Sequence, residues 1–367
     1  MGIEYMLYFY GAVCLSMIMF NVAYAVFLRR SEPRMKRRTQ ALSLLTDRQL
    51  KRLELGKPVE ERYLRYLQRK LRHVKNLIAF DHVLRALSSR YSVPGVQSYF
   101  AQLQPCILSL SLVYRKRENT QAAYFTYFLS RYMIHKHMPL QSLQEVLLEY
   151  MAKDNLYCQV NALQALYTFG SAEYILNALE IQDRGSVFLH EKILTEGLLS
   201  FTGDHDCLIE LLWQELHSFS PRTQLAILNY IRFRTGSYAE EMFALMEDSK
   251  QDKEVRLAAI RYFGRYHYQP ALEPLLAFAQ NEDPVQWEYA TVSVFSLSRY
   301  EGHQVIEALK KALHSSNWYV RYAAAVSLES QHVNYEDLID IVAGNDRYAR
   351  EMMTYRLESR RLQKAEV

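Results

Sequence analysis

The densest group of reactive side chains in the sequence is Gly203-Asp204-His205-Asp206-Cys207, two carboxylates, an imidazole and a thiol within five positions. To hold a metal or move a proton these would need further groups arriving from elsewhere, and no motif nominates any. Helix punctuation accounts for the same residues: Gly203 ends one helix in a left-handed turn, and Asp204 or Asp206 caps the next. His135-Lys136-His137 sets its histidines two apart, pointing about 200° apart on a helix, which suits no shared metal. Cys14, Cys106, Cys158 and Cys207 are widely spaced with no CxxC pair, giving neither a disulfide framework nor a cysteine zinc site. No Gly-rich run exists to cradle a phosphate. The expectation is a non-enzymatic protein with no catalytic residue, metal, cofactor or small-molecule substrate.

A second recurring feature is the dipeptide Arg-Tyr just after a helix joint at Gly or Ser, at Arg90-Tyr91, Arg131-Tyr132, Arg265-Tyr266 and Arg299-Tyr300. Each follows or ends an apolar helical stretch, so equivalent turns of a repeat would align the pairs into a ridge, with two residue types enriched at binding hot spots. An Arg at a helix C-terminus also complements the macrodipole, with Tyr packed beneath it, and that structural explanation stays open. These eight residues are the candidate partner-binding set.

The elements that must position them are helices. Half of the 367 residues are apolar and only 12 are Gly and 9 Pro, which excludes a disordered chain, collagen and a multi-stranded barrel. An apolar helix end, a Gly or Ser, and a second apolar helix recur at Ser89, Ser130, Gly170, Gly203, Gly236, Gly264 and Ser298, with spacings of 41, 40, 33, 33, 28 and 34. Such periods belong to helix-pair solenoids. Asp252-Lys253-Glu254-Val255-Arg256-Leu257-Ala258-Ala259 and Asn317-Trp318-Tyr319-Val320-Arg321-Tyr322-Ala323-Ala324 share a helix cap, a Val-Arg pair and two small residues at equal offsets. Asp283-Pro284 opens the copy between them and Asp154 an earlier one.

This pattern resembles the HEAT repeat family, strongly over about residues 250–330 and loosely before 220. The resemblance implies an all-α fold, an α-solenoid of HEAT-like helix pairs, and is nearly silent on function, because the family includes scaffolds, adaptors and a few enzymes. HEAT-like enzymes that use metal show several His-Glu pairs, whereas His190-Glu191 is the single one here.

Ahead of the repeats, Tyr5 to Leu28 carries no charge and, as a helix of about 36 Å, would cross a hydrocarbon core of about 30 Å. Ala23-Tyr24-Ala25 resembles a signal-peptidase site, but a signal peptide carries its positive charge before the apolar run. Here Arg29, Arg30, Arg34, Lys36, Arg37 and Arg38 follow it. The same order predicts a single-pass cell-membrane protein with its N-terminus outside and its body in the cytoplasm. Residues 29–75 hold 16 Lys/Arg against 5 Asp/Glu, while residues 76–367 carry a net charge of −6, so a basic neck joins an acidic body. Thr46-Asp47-Arg48-Gln49 reads as a capping box. Val59 to Leu87 reads as a basic amphipathic helix, lying either on anionic lipid or on the body.

The expected organisation is a transmembrane helix at 5–28, a basic juxtamembrane helical neck at 29–88, a solenoid at 89–344, and a polar capping helix and tail at 345–367. The expected function is a membrane-anchored scaffold that presents the solenoid to a protein partner, itself membrane-associated. A HEAT-like enzyme or lyase with a concave-face site is an alternative. So is a nucleic-acid binder, against which the acidic body counts.

Overall fold

Caps read from the sequence start the helices of the late repeats. Asp252 accepts a hydrogen bond from the Glu254 amide (2.8 Å) and Asn317 from Tyr319 (2.8 Å), while Asp283 accepts from Val285 (2.9 Å) at the 3-10 turn Pro284–Gln286 that leads into the next helix. Each satisfies a backbone donor that the first helical turn leaves free. The computed structural model describes residues 2–87, 90–91, 93–132, 141–331, 333 and 335–365, and of 2–4, 7, 27–31, 93, 141 and 359–365 only the backbone. Ser89 and His135-Lys136-His137 therefore lie outside the described residues. Among the described residues every regular element is helical.

The chain divides into two units, Met1–Phe188 with Thr202–Asp204, and Leu189–Phe201 with His205–Val367. The first holds α1 (Gly2–Glu54), α2 (Glu61–Lys70), α3 (Val74–Leu87), α4 (Val93–Arg115), α5 (Asn119–Tyr132), α6 (Gln141–Met151), α7 (Leu156–Phe169) and α8 (Ala172–Arg184). Helices α1, α3, α5 and α7 stack in one layer and α2, α4, α6 and α8 in the other. The second unit holds α9 (Glu191–Leu199), α10 (His205–Gln214), α11 (Pro221–Arg234), α12 (Ala239–Glu247), α13 (Lys253–Phe263), α14 (Leu272–Ala279), α15 (Trp287–Ser296), α16 (His303–Ala312), α17 (Trp318–Ser330), α18 (Ile339–Val342) and α19 (Arg347–Ala365). Here the odd-numbered helices stack successively, and α10 through α18 each pack on the odd helix that follows.

Small residues set the spacing of the odd layer. Ala258, Ala259, Ala290, Ala323, Ala324 and Ala325 are all buried, so backbones approach where a larger side chain would hold them apart. Two serines then clasp successive repeats, Ser296 donating to the Ile260 carbonyl (2.9 Å) and Ser327 to that of Val294 (2.9 Å). The joint glycines serve the same closeness. A Cβ on Gly264 would stand 3.0 Å from Ser296 Oγ, and one on Gly236 2.7 Å from Tyr266 Cδ1.

Four expectations change. The predicted capping box Thr46–Gln49 starts no helix, because α1 runs unbroken from Gly2 to Glu54. The Thr46 hydroxyl instead bonds that of Tyr63 (2.8 Å), and Gln49 accepts from the Glu60 amide (3.0 Å). A polar pair at capping spacing was recruited by tertiary contacts. The amphipathic stretch is two helices, α2 and α3, and its apolar face (Tyr63, Leu67, Leu71, Leu77) is buried within the first unit, leaving Arg62, Arg65, Arg69, Lys70, Arg72 and Lys75 as a solvated face. Asn155, not Asp154, caps α7, accepting from Cys158 (2.9 Å). Gly203 is not left-handed. Among the described glycines only Gly56, Gly170 and Gly302 have positive φ, and Gly170 (φ 74°) ends α7. The predicted terminal helix is α19, capped by Asp346, with Ala349, Met353 and Leu357 buried against α17 and α18.

Candidate functional site: an arginine-lined cavity and an aromatic surface

Three successive helices of the second unit place Phe233 (α11), Arg261 (α13) and Phe295 (α15) each three residues before its joint at Gly236, Gly264 or Ser298. They lie together in a solvent-open cavity of about 440 Å³. Arg232, Arg265 and Arg299 join them, with Val292, Gly264 and Ser296 completing the wall. No carboxylate lines it. Among the described residues none of the four arginines forms an ion pair, whereas Arg85, Arg115, Arg347 and Arg356 all do.

The guanidinium groups of this cavity disfavour one another. Burial, then the charges of Arg261 and Arg265, pushes the Arg232 guanidinium below the ordinary arginine value. Burial does the same to Arg261, offset in part by Glu254. The Arg232 Nε is buried with no hydrogen-bond partner. Its plane rests over Phe233, 4.8 Å from the ring centre, and Arg265 covers the same ring at 5.4 Å. Stacking on Phe233 holds both guanidinium planes in place.

A second feature lies on α17 and α19. Trp318, Tyr319, Tyr322, Tyr348 and Tyr355 are all exposed, with Trp318 52% and Tyr355 70% accessible. Trp318 stacks on Tyr322 (5.2 Å between centroids) and Tyr319 on Trp287 (5.2 Å). Arg321 lies over Tyr348 and Arg356 over Tyr322, at 5.1 and 5.0 Å. Exposed aromatics held rigid by stacking and cation–π contact have the composition of an interaction hot spot.

The Arg-Tyr pairs divide by residue type. Tyr132 is buried and donates to the Asp81 carboxylate; Tyr300 is buried, donating to the Tyr268 carbonyl (3.1 Å) and accepting from its amide (3.4 Å). Tyr91 donates to Asp47, and Tyr266 packs on Tyr262 (4.9 Å). The tyrosines thus make internal contacts, and Arg90, Arg131, Arg265 and Arg299 are what solvent reaches. Arg131 donates to the Tyr127 hydroxyl (2.9 Å). The structure brings Arg265 and Arg299 into one cavity. Arg90 and Arg131 belong to the first unit.

Arg232 and Arg261 were missed because they are not in the dipeptides singled out. One signal was available: neither has a carboxylate three or four residues away on either side, so no helical neighbour can neutralise it. Of the neck cations, Arg34, Lys36 and Arg37 are exposed on α1 and Arg38 half-buried, while Arg29 and Arg30 fall where only the backbone is described.

The predicted polar cluster takes structural work. His205 Nδ1 hydrogen-bonds the Tyr230 hydroxyl (2.6 Å), and the Phe201 ring meets the imidazole edge-on at 5.5 Å. His190 Nδ1 caps α9, accepting from the Lys192 amide (3.2 Å), with Glu191 3.0 Å from the same nitrogen. Among the described residues no three His, Cys, Asp or Glu side chains are grouped to hold a metal. Burial raises the thiols of Cys106 to about 12 and Cys158 to about 11, while Cys14 and Cys207 are exposed.

Helix pairs stacked in two layers, with caps, small residues and serine clasps recurring from pair to pair, define an α-solenoid repeat protein. Residues 239–329, within the second unit, match the family model for HEAT repeats, a span that includes Arg261, Arg265, Phe295 and Arg299 of the cavity and Trp318, Tyr319 and Tyr322 of the aromatic surface. No curated protein matches the chain.

Proposed function

We propose that this protein is a membrane-anchored, non-enzymatic scaffold whose HEAT repeats bind a membrane-associated protein at the cytoplasmic face. The observation that carries the interaction is the aromatic surface of Trp318, Tyr319, Tyr322, Tyr348 and Tyr355 on a HEAT-repeat layer, since soluble domains leave few such side chains clustered in water. HEAT repeats in general mediate protein–protein interaction.

Support for the tether comes from α1. Its segment Tyr8–Val26 is long and apolar enough to cross a membrane and none of it is buried, whereas Leu42, Thr46, Gln49 and Leu50 on the same helix are buried in the first unit. A helix continuous from an apolar exposed end to a packed end would join the anchor to the first unit without a flexible linker. The orientation rests on the cations from Arg29 to Arg38.

Native cysteines test the topology. Cys207 is exposed, Cys106 and Cys158 are buried, and Cys14 lies in the apolar run. A membrane-impermeant maleimide should therefore label Cys207 only after cells are permeabilised, and labelling of Cys207 in intact cells would overturn the orientation. For the interaction, in-cell crosslinking of the full chain should yield a stoichiometric protein adduct that Trp318→Ala with Tyr355→Ala removes. An adduct indifferent to both substitutions, or none, would overturn the scaffold reading.

A further inference from the structure

We propose that the cavity between α11, α13 and α15 is a receptor for an acidic peptide segment in which carboxylates flank an apolar side chain. The inference rests on the scaffold reading and names the chemistry of what the second unit recognises.

Four observations converge on it. Arg232, Arg261, Arg265 and Arg299 meet in one cavity with no carboxylate in its wall. Like charges gathered without counter-charge persist in a fold only where something else holds them or something else fills the site. Their donors are available: Arg232 Nε has no partner, and Arg261, Arg265 and Arg299 form no ion pair. Guanidinium forks present paired N–H groups that match the two oxygens of a carboxylate.

The rest of the wall argues for a peptide over a bare oxyanion. Phe233 is 43% and Phe295 39% accessible, and both line the cavity with the buried Val292, so the site offers apolar surface beside its charges. Inorganic phosphate has no use for that surface, whereas an aliphatic or aromatic side chain adjoining a glutamate does. A polyanion such as nucleic acid would meet the −6 net charge carried by residues 76–367, which confines the attraction to the cavity. The opening of about 440 Å³ accepts a few side chains rather than a folded element. The aromatic surface on α17 and α19 belongs to the same odd-numbered layer, through α15, so one extended partner could engage both.

The test uses the full chain in non-ionic detergent. The probe is a peptide array with two fixed glutamates flanking a position varied over apolar side chains, beside the same array with glutamines. Hits are measured by fluorescence anisotropy against pyrophosphate and a single-stranded oligonucleotide as competitors. The expected result is binding of glutamate members alone, weakened at least about tenfold in Arg261→Gln and in Arg299→Gln, and unchanged in Arg347→Gln, whose ion pair with Glu351 lies on exposed α19. Arg261→Lys should recover only part of the loss, since a point charge lacks the fork.

No glutamate member binding, equal binding of glutamine members, or indifference to both Arg261→Gln and Arg299→Gln would overturn the proposal. Binding of pyrophosphate or oligonucleotide that no peptide displaces would do the same, reassigning the site to phosphate. Thermal melts of each variant separate lost recognition from lost fold. If the peptides fail while the crosslinked adduct still depends on Trp318 and Tyr355, this inference falls and the scaffold stands. Peptide binding without any adduct would refute the scaffold instead.

Discussion

Arg232→Met should stabilise the folded protein. The side chain is half-buried, its Nε is buried without a partner, and the neighbouring guanidinium groups of Arg261 and Arg265 act on it with the same sign. A buried donor left unpaired costs about 1–3 kcal/mol. Even buried charges that are paired can often be replaced by apolar side chains of similar volume at no cost or with a gain of about 1–4 kcal/mol, and an unpaired one has no partner to lose. Methionine keeps the unbranched stem and can still contact the Phe233 ring through sulfur, so most of the packing survives. A gain of about 1–2 kcal/mol follows, which for a unit of this size is a rise in melting temperature of roughly 2–8 °C. The assay is a thermal melt of the full chain in non-ionic detergent at low and high salt. Salt screens like charges, so the wild type should gain more stability from added salt than the variant does. A melting temperature lowered by Arg232→Met at both salt concentrations would mean that the guanidinium is internally satisfied, and the account of mutually repelling arginines would be refuted.

Asp81 is 1% exposed and receives hydrogen bonds from Arg85, Tyr132 and Tyr124. Burial raises its carboxyl, but those bonds outweigh it and hold the pKa below the ordinary value. Such a group contributes stability above the unfolded-state pKa of about 3.9 and loses it as pH falls through the lower folded value. Asp81→Asn should therefore cost about 2–4 kcal/mol at pH 7 and flatten the dependence of stability on pH below about 4. Urea titrations from pH 3 to 7 read both, and an unchanged slope would refute the assignment. Gly236→Ala should cost about 1–3 kcal/mol, because the new methyl meets the Tyr266 ring at 2.7 Å. The double variant with Tyr266→Ala should cost less than the sum of the two single changes, and strict additivity in denaturant melts would count against that contact.

The repeats were legible where local chemistry and tertiary role coincide. The caps Asp252, Asp283 and Asn317 and the paired alanines behind them act as their types and spacing dictate, because a cap is satisfied by its own first turn and an alanine's smallness needs no partner. Thr46 and Gln49 failed as a capping box for the opposite reason: their hydrogen-bonding groups found Tyr63 and Glu60, residues no local rule points to. The ridge tyrosines Tyr132 and Tyr300 likewise went inward, toward acceptors 51 and 32 positions away.

The sequence by itself determined an all-helical repeat, the apolar segment at the N-terminus and the basic stretch behind it, since composition, period and charge order are properties of the chain. Tertiary structure alone decided which residues meet. Arg232, Arg261, Arg265 and Arg299 lie within a span of 68 residues, and the Arg-Tyr dipeptide marks Arg261, Arg265 and Arg299 but not Arg232. They converge because stacking α11, α13 and α15 brings residues near the same joint of each repeat together in space, a distance that no single helix encodes.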